Sequence, residues 1–173
     1  MIDAVLANFA WNLEYARELV ADLTDEECRE SGGPGLENHP AWTLGHLVTG
    51  VNLHARGLGL PDDLPEGWRD LFERRGPGDP RLPSQQHALY PSRDELLAEL
   101  ARQHDRVNTA WGDVSPTEWN RREDWAFGRE LPTFAAGAVF MLLTHEALHL
   151  GQLAAWRRAR GLPSALERLA RRA

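Results

Sequence analysis

The chain has 173 residues, 42% of them hydrophobic and 26% charged, and 19 Lys+Arg against 26 Asp+Glu leave a net charge of −7. That length suits one domain with a sizeable core, and the acidic balance argues against a nucleic-acid binder, which carries a basic footprint. The single cysteine, Cys28, excludes an internal disulfide and any multi-cysteine metal site.

The first helix is expected from about Asp3 to Leu23, because Leu6, Phe9, Leu13, Ala16, Val20 and Leu23 recur at three- and four-residue steps. This segment carries acidic residues through its apolar stretch and lacks the basic start of a signal peptide. No run approaches the length needed to span a bilayer, so a soluble cytoplasmic protein with no membrane partner is expected. Thr24 with Glu27 forms a capping-box pattern before a short helical turn, and "SGGPG" then breaks the chain.

A second helix is expected over residues 40–57, opened by Pro40 in its first turn. Leu44, Val48, Val51, Ala55 and Leu58 form one apolar stripe, and Trp42, His46 and Leu53 lie nearly opposite it. Such a helix is buried on two sides, or lines a pocket with one of them. Residues 59–91 are rich in Pro and Gly around one short helix at "EGWRDLFER", and long connections of this kind often serve function. The third helix opens at Ser92, boxed with Glu95, and carries Leu96, Leu100, His104, Val107 and Trp111 to about Asp113. "SPTEW" marks another short helix. The fourth long helix spans about Thr133 to Arg160, stopped by Gly161 and Pro163, and Ser164 with Glu167 announces a last short one. The basic tail (Arg157, Arg158, Arg160, Arg168, Arg171, Arg172) reads as a solvated helix face. No internal repeat or strand-like alternation is evident. Four long helices with long connections and short extra helices predict an all-α four-helix bundle filling one domain, residues 1–173.

The fourth helix contains "THEALHL", with His145 and His149 on the face shared by Ala138, Met141, Leu142, Gln152 and Trp156. Residues four apart lie about 40° apart around a helix, their Cβ atoms roughly 5–6 Å from each other. Two imidazoles so placed can converge on one divalent transition-metal ion, zinc first, with nickel, iron and copper also suited; the alternative is a structural pair of polar residues. The inward position matters, since a leucine there would need no polar partner. The string H-E-A-L-H matches the zinc-protease pattern. However, the position of a third metzincin histidine is Ala155, Gly151 is out of register, and Glu167 lies past the helix stop. A peptidase reading is therefore weak. A catalytic metal needs a third protein ligand. Among His39, His46, His54, His87 and His104, periodicity alone favours His104 and settles nothing.

Three segments, "WTLGHLVTG", "LYPSRDELLAELARQHDRV" and "HEALHLGQLAAWRRARGLP", resemble in order the DinB/YfiT-like family of metal-binding helical bundles, unrelated to the DNA polymerase of similar name. The resemblance covers nearly the whole chain, and its most specific part is the last segment. It implies a metal triad of His46, His145 and His149. His104 then becomes a core or pocket-lining residue, and His39 and His54 become surface or rim residues. The family includes transferases that use low-molecular-weight thiols such as bacillithiol or mycothiol, and an isomerase that uses mycothiol. The resemblance therefore implies a small-molecule substrate, a thiol co-substrate, a divalent ion (zinc, nickel, iron or manganese) and homodimers. A coordinated thiol is deprotonated, and water in its place would make the protein a hydrolase. The rival class is a non-catalytic metal- or ligand-binding bundle. Glu146 is a candidate general base, with helix capping or an arginine partner as the structural alternative. Gln152 is a candidate support for the ligands. Trp42, Trp111 and Trp156 are candidate pocket walls or core, and Cys28 is not expected to act as a nucleophile.

Overall fold

A computed structural model describes residues 2–172. Among them the chain is helical, with one isolated bridge between Arg122 and Thr133 and no β-strand. Helix α1 is Ile2–Val20, α2 Asp25–Cys28, α3 Pro40–Gly57, α4 Trp68–Phe72, α5 Arg93–Trp111 and α6 Pro116–Trp119. The last long helix is composite. It begins as α7 (Phe134–Val139), passes through a π-helical turn at Phe140–His145 and continues as α8 (Glu146–Ala159), before α9 (Ala165–Ala170). The bundle is α1, α3, α5 and the α7–α8 run, with α3 packed most extensively on α5.

Local chemistry sets the helix starts. Thr24 and Ser92 each close a full capping box, with Glu27 and Glu95 as the reciprocal partners. Thr133, Ser115 and Ser164 accept from the backbone N–H three residues on, and Pro40 occupies the first turn of α3. The cap of α3 is His39, whose Nδ1 accepts from the N–H of Trp42 at 3.2 Å.

Four expectations are corrected by the packing. His39 and His54 are not rim residues: both are buried. His54 Nε2 accepts from Trp111 Nε1–H at 3.1 Å, and its ring stacks on Phe134 with centroids 5.4 Å apart. Arg157 does not lie on a solvated face. Only 2% exposed, it forks onto both carboxylate oxygens of Asp22 and donates to the carbonyls of Leu19 and Pro163, tying α8 to α1. Finally, the Phe134–Ala159 run is, by length and composition, long and apolar enough to cross a membrane, against the expectation that no segment reaches that length. In the structure this run packs as a bundle helix against α1 and α3.

Burial pulls the pKa of both His54 and His39 down to about 4, against an ordinary value near 6.5. Both rings are thus neutral in the folded protein. Between pH 6.5 and 4 the unfolded chain binds protons that the folded chain does not, so stability is full above pH 6.5 and falls as the pH drops toward 4. Each such histidine contributes a slope of about 1.4 kcal/mol per pH unit. Urea titrations from pH 7 to 4.5 are expected to show this decline. His54→Gln keeps an acceptor for Trp111 but cannot take up the proton, and should flatten the decline; an unchanged slope would rule out His54 as a source.

Candidate metal centre

The WTLGHLVTG segment lies on α3, where 14 of the 18 residues are buried. Trp42, His46 and Gly50 fall at four-residue steps, with Gly45 next to His46, and these residues face the last helix and the connection after α3. A Cβ on Gly45 would lie only 2.3–2.4 Å from three carbons of the Phe72 ring, and one on Gly50 would lie 3.1 Å from His145 Cε1. Both glycines therefore permit close approach: one lets the α4 connection seat Phe72, and the other lets the π turn bring His145 against α3. Glycine inside a helix has such a packing reason when it persists against its conformational cost. This was the available sequence signal for Gly45 and Gly50.

Metal-binding atoms of His46, His145 and His149 all lie within 4.8 Å of one another. The His46 and His149 ring centroids are 4.6 Å apart, those of His145 and His149 4.6 Å, and those of His46 and His145 5.2 Å. His46 Nδ1–H donates to the Phe72 carbonyl at 2.9 Å. That fixes its tautomer and leaves Nε2 with a free lone pair, as in histidines that ligate metals. The ring also stacks on Trp42, at 4.8 Å and 11°, and Trp42 meets His149 edge-on at 6.4 Å. His149 Nδ1 is buried without a hydrogen-bond partner among the described residues.

Burial lowers all three imidazole pKa values. His46 falls to about 4, although the Phe72 bond works the other way. His149 falls to about 3, with burial the main cause and the neighbouring His46 and His145 adding to it. His145 is lowered by burial. The rings are thus held neutral, which is the ligating form. Three convergent neutral imidazoles, an oriented tautomer and an orphaned buried nitrogen fit a borderline divalent transition-metal ion.

The structure separates the remaining candidates. His104, favoured by periodicity alone, is not in the cluster. It is buried against Phe9, ring centroids 3.7 Å apart and 9° from parallel, and its Nε2 lies in a hydrogen bond 2.9 Å from Glu146 Oε1. The structural alternative for Glu146, a cap or an arginine partner, is corrected accordingly: its partner is histidine. Glu146 is 1% exposed. Burial pushes its carboxyl up, while the His104 bond pulls it back. Its second oxygen and His104 Nδ1 have no partner among the described residues. Gln152 is exposed, and its Oε1 accepts from Asn38 Nδ2 at 3.3 Å beside His149. Trp111 and Trp156 belong to the core, the latter donating to the Glu30 carbonyl, and only Trp42 of the three meets the cluster. Glu167 pairs with Arg171 on α9. Cys28 is buried, which pushes its thiol up to about 12, in keeping with an inert side chain.

The π turn was illegible in the sequence. Asn12 of α1, itself buried, donates to the Leu142 carbonyl within it at 3.2 Å. The buried stripe runs from Leu142 in the turn through Glu146, Leu150, Leu153 and Arg157, so His145 and His149 sit on its flank toward α3. Single π turns recur at functional sites because they re-aim the side chains around them.

Among curated proteins, none matches this chain. A crystal structure of a conserved protein of a locus from Enterococcus faecalis is similar with a TM-score of 0.71, over 92% of this chain and 96% of its own, at 16% identity, a likeness of fold. Residues 8–153, most of the chain, match the DinB superfamily, and the chain belongs to that superfamily.

Proposed function

We propose that His46, His145 and His149 hold one divalent transition-metal ion, zinc in the first place, and that the protein is a metal-dependent enzyme acting on a small molecule with a low-molecular-weight thiol as co-substrate. The observation that carries this reading is the meeting of three neutral imidazoles from two separate segments within 4.8 Å. Among the described residues no carboxylate or thiol completes that group. Three protein ligands leave a position for a reactant, whereas structural zinc sites are closed by four. When bound, the ion supplies Lewis acidity that lowers the pKa of a thiol, or of water in a hydrolytic reaction, at that position.

The chain's own residues do the rest. The Phe72 carbonyl and the Trp42 face orient His46, Trp42 keeps water from one side of the cluster, and Gly50 sets the depth of His145. Glu146 holds the start of α8 through His104. Protein purified without a nickel column is expected to carry close to one metal ion per chain by elemental analysis. His145→Ala/His149→Ala should fall to background while keeping its helical circular dichroism. Equal metal in both proteins would remove the basis of the proposal.

A further inference from the structure

A π turn is rare and occurs as a single widened turn inside an α-helix, so contacts from outside the helix have to favour it over the regular spiral. Here one side chain reaches the backbone of the turn. Asn12 Nδ2 donates to the Leu142 carbonyl at 3.2 Å, across 130 positions of sequence. Among the described residues no other side chain bonds a carbonyl of Phe140–His145. Asn12 is 6% exposed and lies on the side of α1 that also buries Phe9, Leu13 and Ala16. Leucine would suit that apolar stripe. An amide there forfeits apolar burial and needs a partner, and the partner it has is the turn.

α1 presents two successive positions of one face to this segment. Phe9 stacks on His104, whose ring bonds Glu146 just past the turn. Asn12, the next residue along that face, bonds Leu142 inside it. The Asn12 amide also acts on Glu146: burial pushes that carboxyl up, and Asn12 adds to the opposing pull of His104. On the other side, α3 offers a gap in place of a clamp. His145 Cε1 lies 3.1 Å from where a Cβ on Gly50 would stand. His145 and His149 are therefore carried by a segment that is held from α1 and α5 and set against a glycine of α3. Of these holds, only the Asn12 bond is made to the backbone of the turn itself, ahead of the first of the two histidines.

We propose that Asn12 is a positioning residue for the metal centre: by holding the Leu142 carbonyl it keeps the π turn in the last helix and so directs His145 and His149 toward His46. The inference rests on the metal-centre reading above. Asn12 acts through the turn and is not itself a ligand.

The test compares wild type with three variants. Asn12→Leu keeps the bulk and removes the donor, Asn12→Gln keeps an amide, and Trp111→Phe is a buried change whose partners, His54 and Trp119, lie outside the cluster. In apoprotein, a nuclear Overhauser effect between His145 Hε1 and the Gly50 Hα protons reports whether the ring still lies against α3. Cobalt titration then gives the affinity and, from the visible bands, the ligand geometry. Asn12→Leu should lose the Overhauser effect, bind cobalt about 10- to 100-fold more weakly, the range for a lost supporting bond, and shift the visible bands. Asn12→Gln should recover part of each. Trp111→Phe should match wild type in all three, even where it lowers stability. An unchanged Overhauser effect with unchanged cobalt affinity in Asn12→Leu overturns the proposal, and so does an equal loss of affinity in Trp111→Phe. Should Asn12→Leu not fold, Asn12→Ser, polar but too short to reach Leu142, takes its place under the same criteria. Failure of wild type to bind cobalt removes the metal-centre reading, and the comparison in apoprotein then decides by itself whether Asn12 sets the direction of His145.

Discussion

His104→Ala is expected to destabilise the protein by about 3–5 kcal/mol, because it strands the Glu146 carboxyl in the core without its partner. The loss has two parts. The imidazole stacks flat on Phe9, so truncation leaves a cavity among fully buried neighbours, itself worth a few kcal/mol. Glu146, 1% exposed, then keeps only the neighbouring Asn12 amide to offset its burial, and protonation of the carboxyl limits the damage without removing it. In a domain of this size, about 3–5 kcal/mol corresponds to a fall in Tm of roughly 10 °C. A double-mutant cycle with Glu146→Leu distinguishes the pair from two independent residues. The double variant should be clearly less destabilised than the sum of the singles. Simple additivity, measured by urea unfolding, would show that the contact contributes no coupling.

The second large effect is expected at Gly45. Alanine there gains about 1 kcal/mol of helix propensity, yet its methyl would occupy space held by the Phe72 ring, which is fully buried. Overpacking of that kind costs about 1–3 kcal/mol, so the net stability change is expected to be small to moderate. The larger consequence is chemical. Displacing Phe72 moves the carbonyl that holds His46 Nδ1–H, and loss of such a supporting bond lowers metal affinity about 10- to 100-fold. Competition with a chromophoric chelator measures this directly. Phe72→Leu in the Gly45→Ala background frees room for the methyl and should restore part of the affinity. If Gly45→Ala binds metal as tightly as wild type, the Phe72 carbonyl has no bearing on the ligand.

What could be read from the sequence was what depends on near neighbours along the chain. Thr24, Ser92, Ser115 and Ser164 sit three residues before a glutamate and open helices where that pattern says they should. The i,i+4 spacing of His145 and His149 likewise put both rings on one side of one helix. The third imidazole was another matter. α3 is buried on nearly every side, so periodicity favoured His104 on the neighbouring seam over His46; family resemblance reversed that choice, and the three imidazoles lie close together. The burial of His39 and His54 and the partner of Glu146 were misjudged for a common reason. Each of the three has a polar side chain made tolerable in the core by a specific partner: the Trp42 N–H, the Trp111 indole and the His104 ring. All but the first of these partners lie more than forty positions away in sequence. Arg157 and Asp22 are further apart still, and a run of arginines gives no sign of which one turns inward.

The π turn between Phe140 and His145 has a broader consequence. Each residue of an α-helix advances the azimuth by about 100°, so an extra residue within one turn decouples the two ends of a single rod. Upstream, the start of the rod stays keyed to His54 and Trp119 through Phe134. Downstream, the histidine-bearing half is free to be aimed separately. Shortening the segment by one amino acid would restore a regular spiral and swing both imidazoles away from α3, while every other side chain kept its identity. The direction of the histidine-bearing half can therefore be changed by a local insertion or deletion while the rest of the scaffold stays as it is.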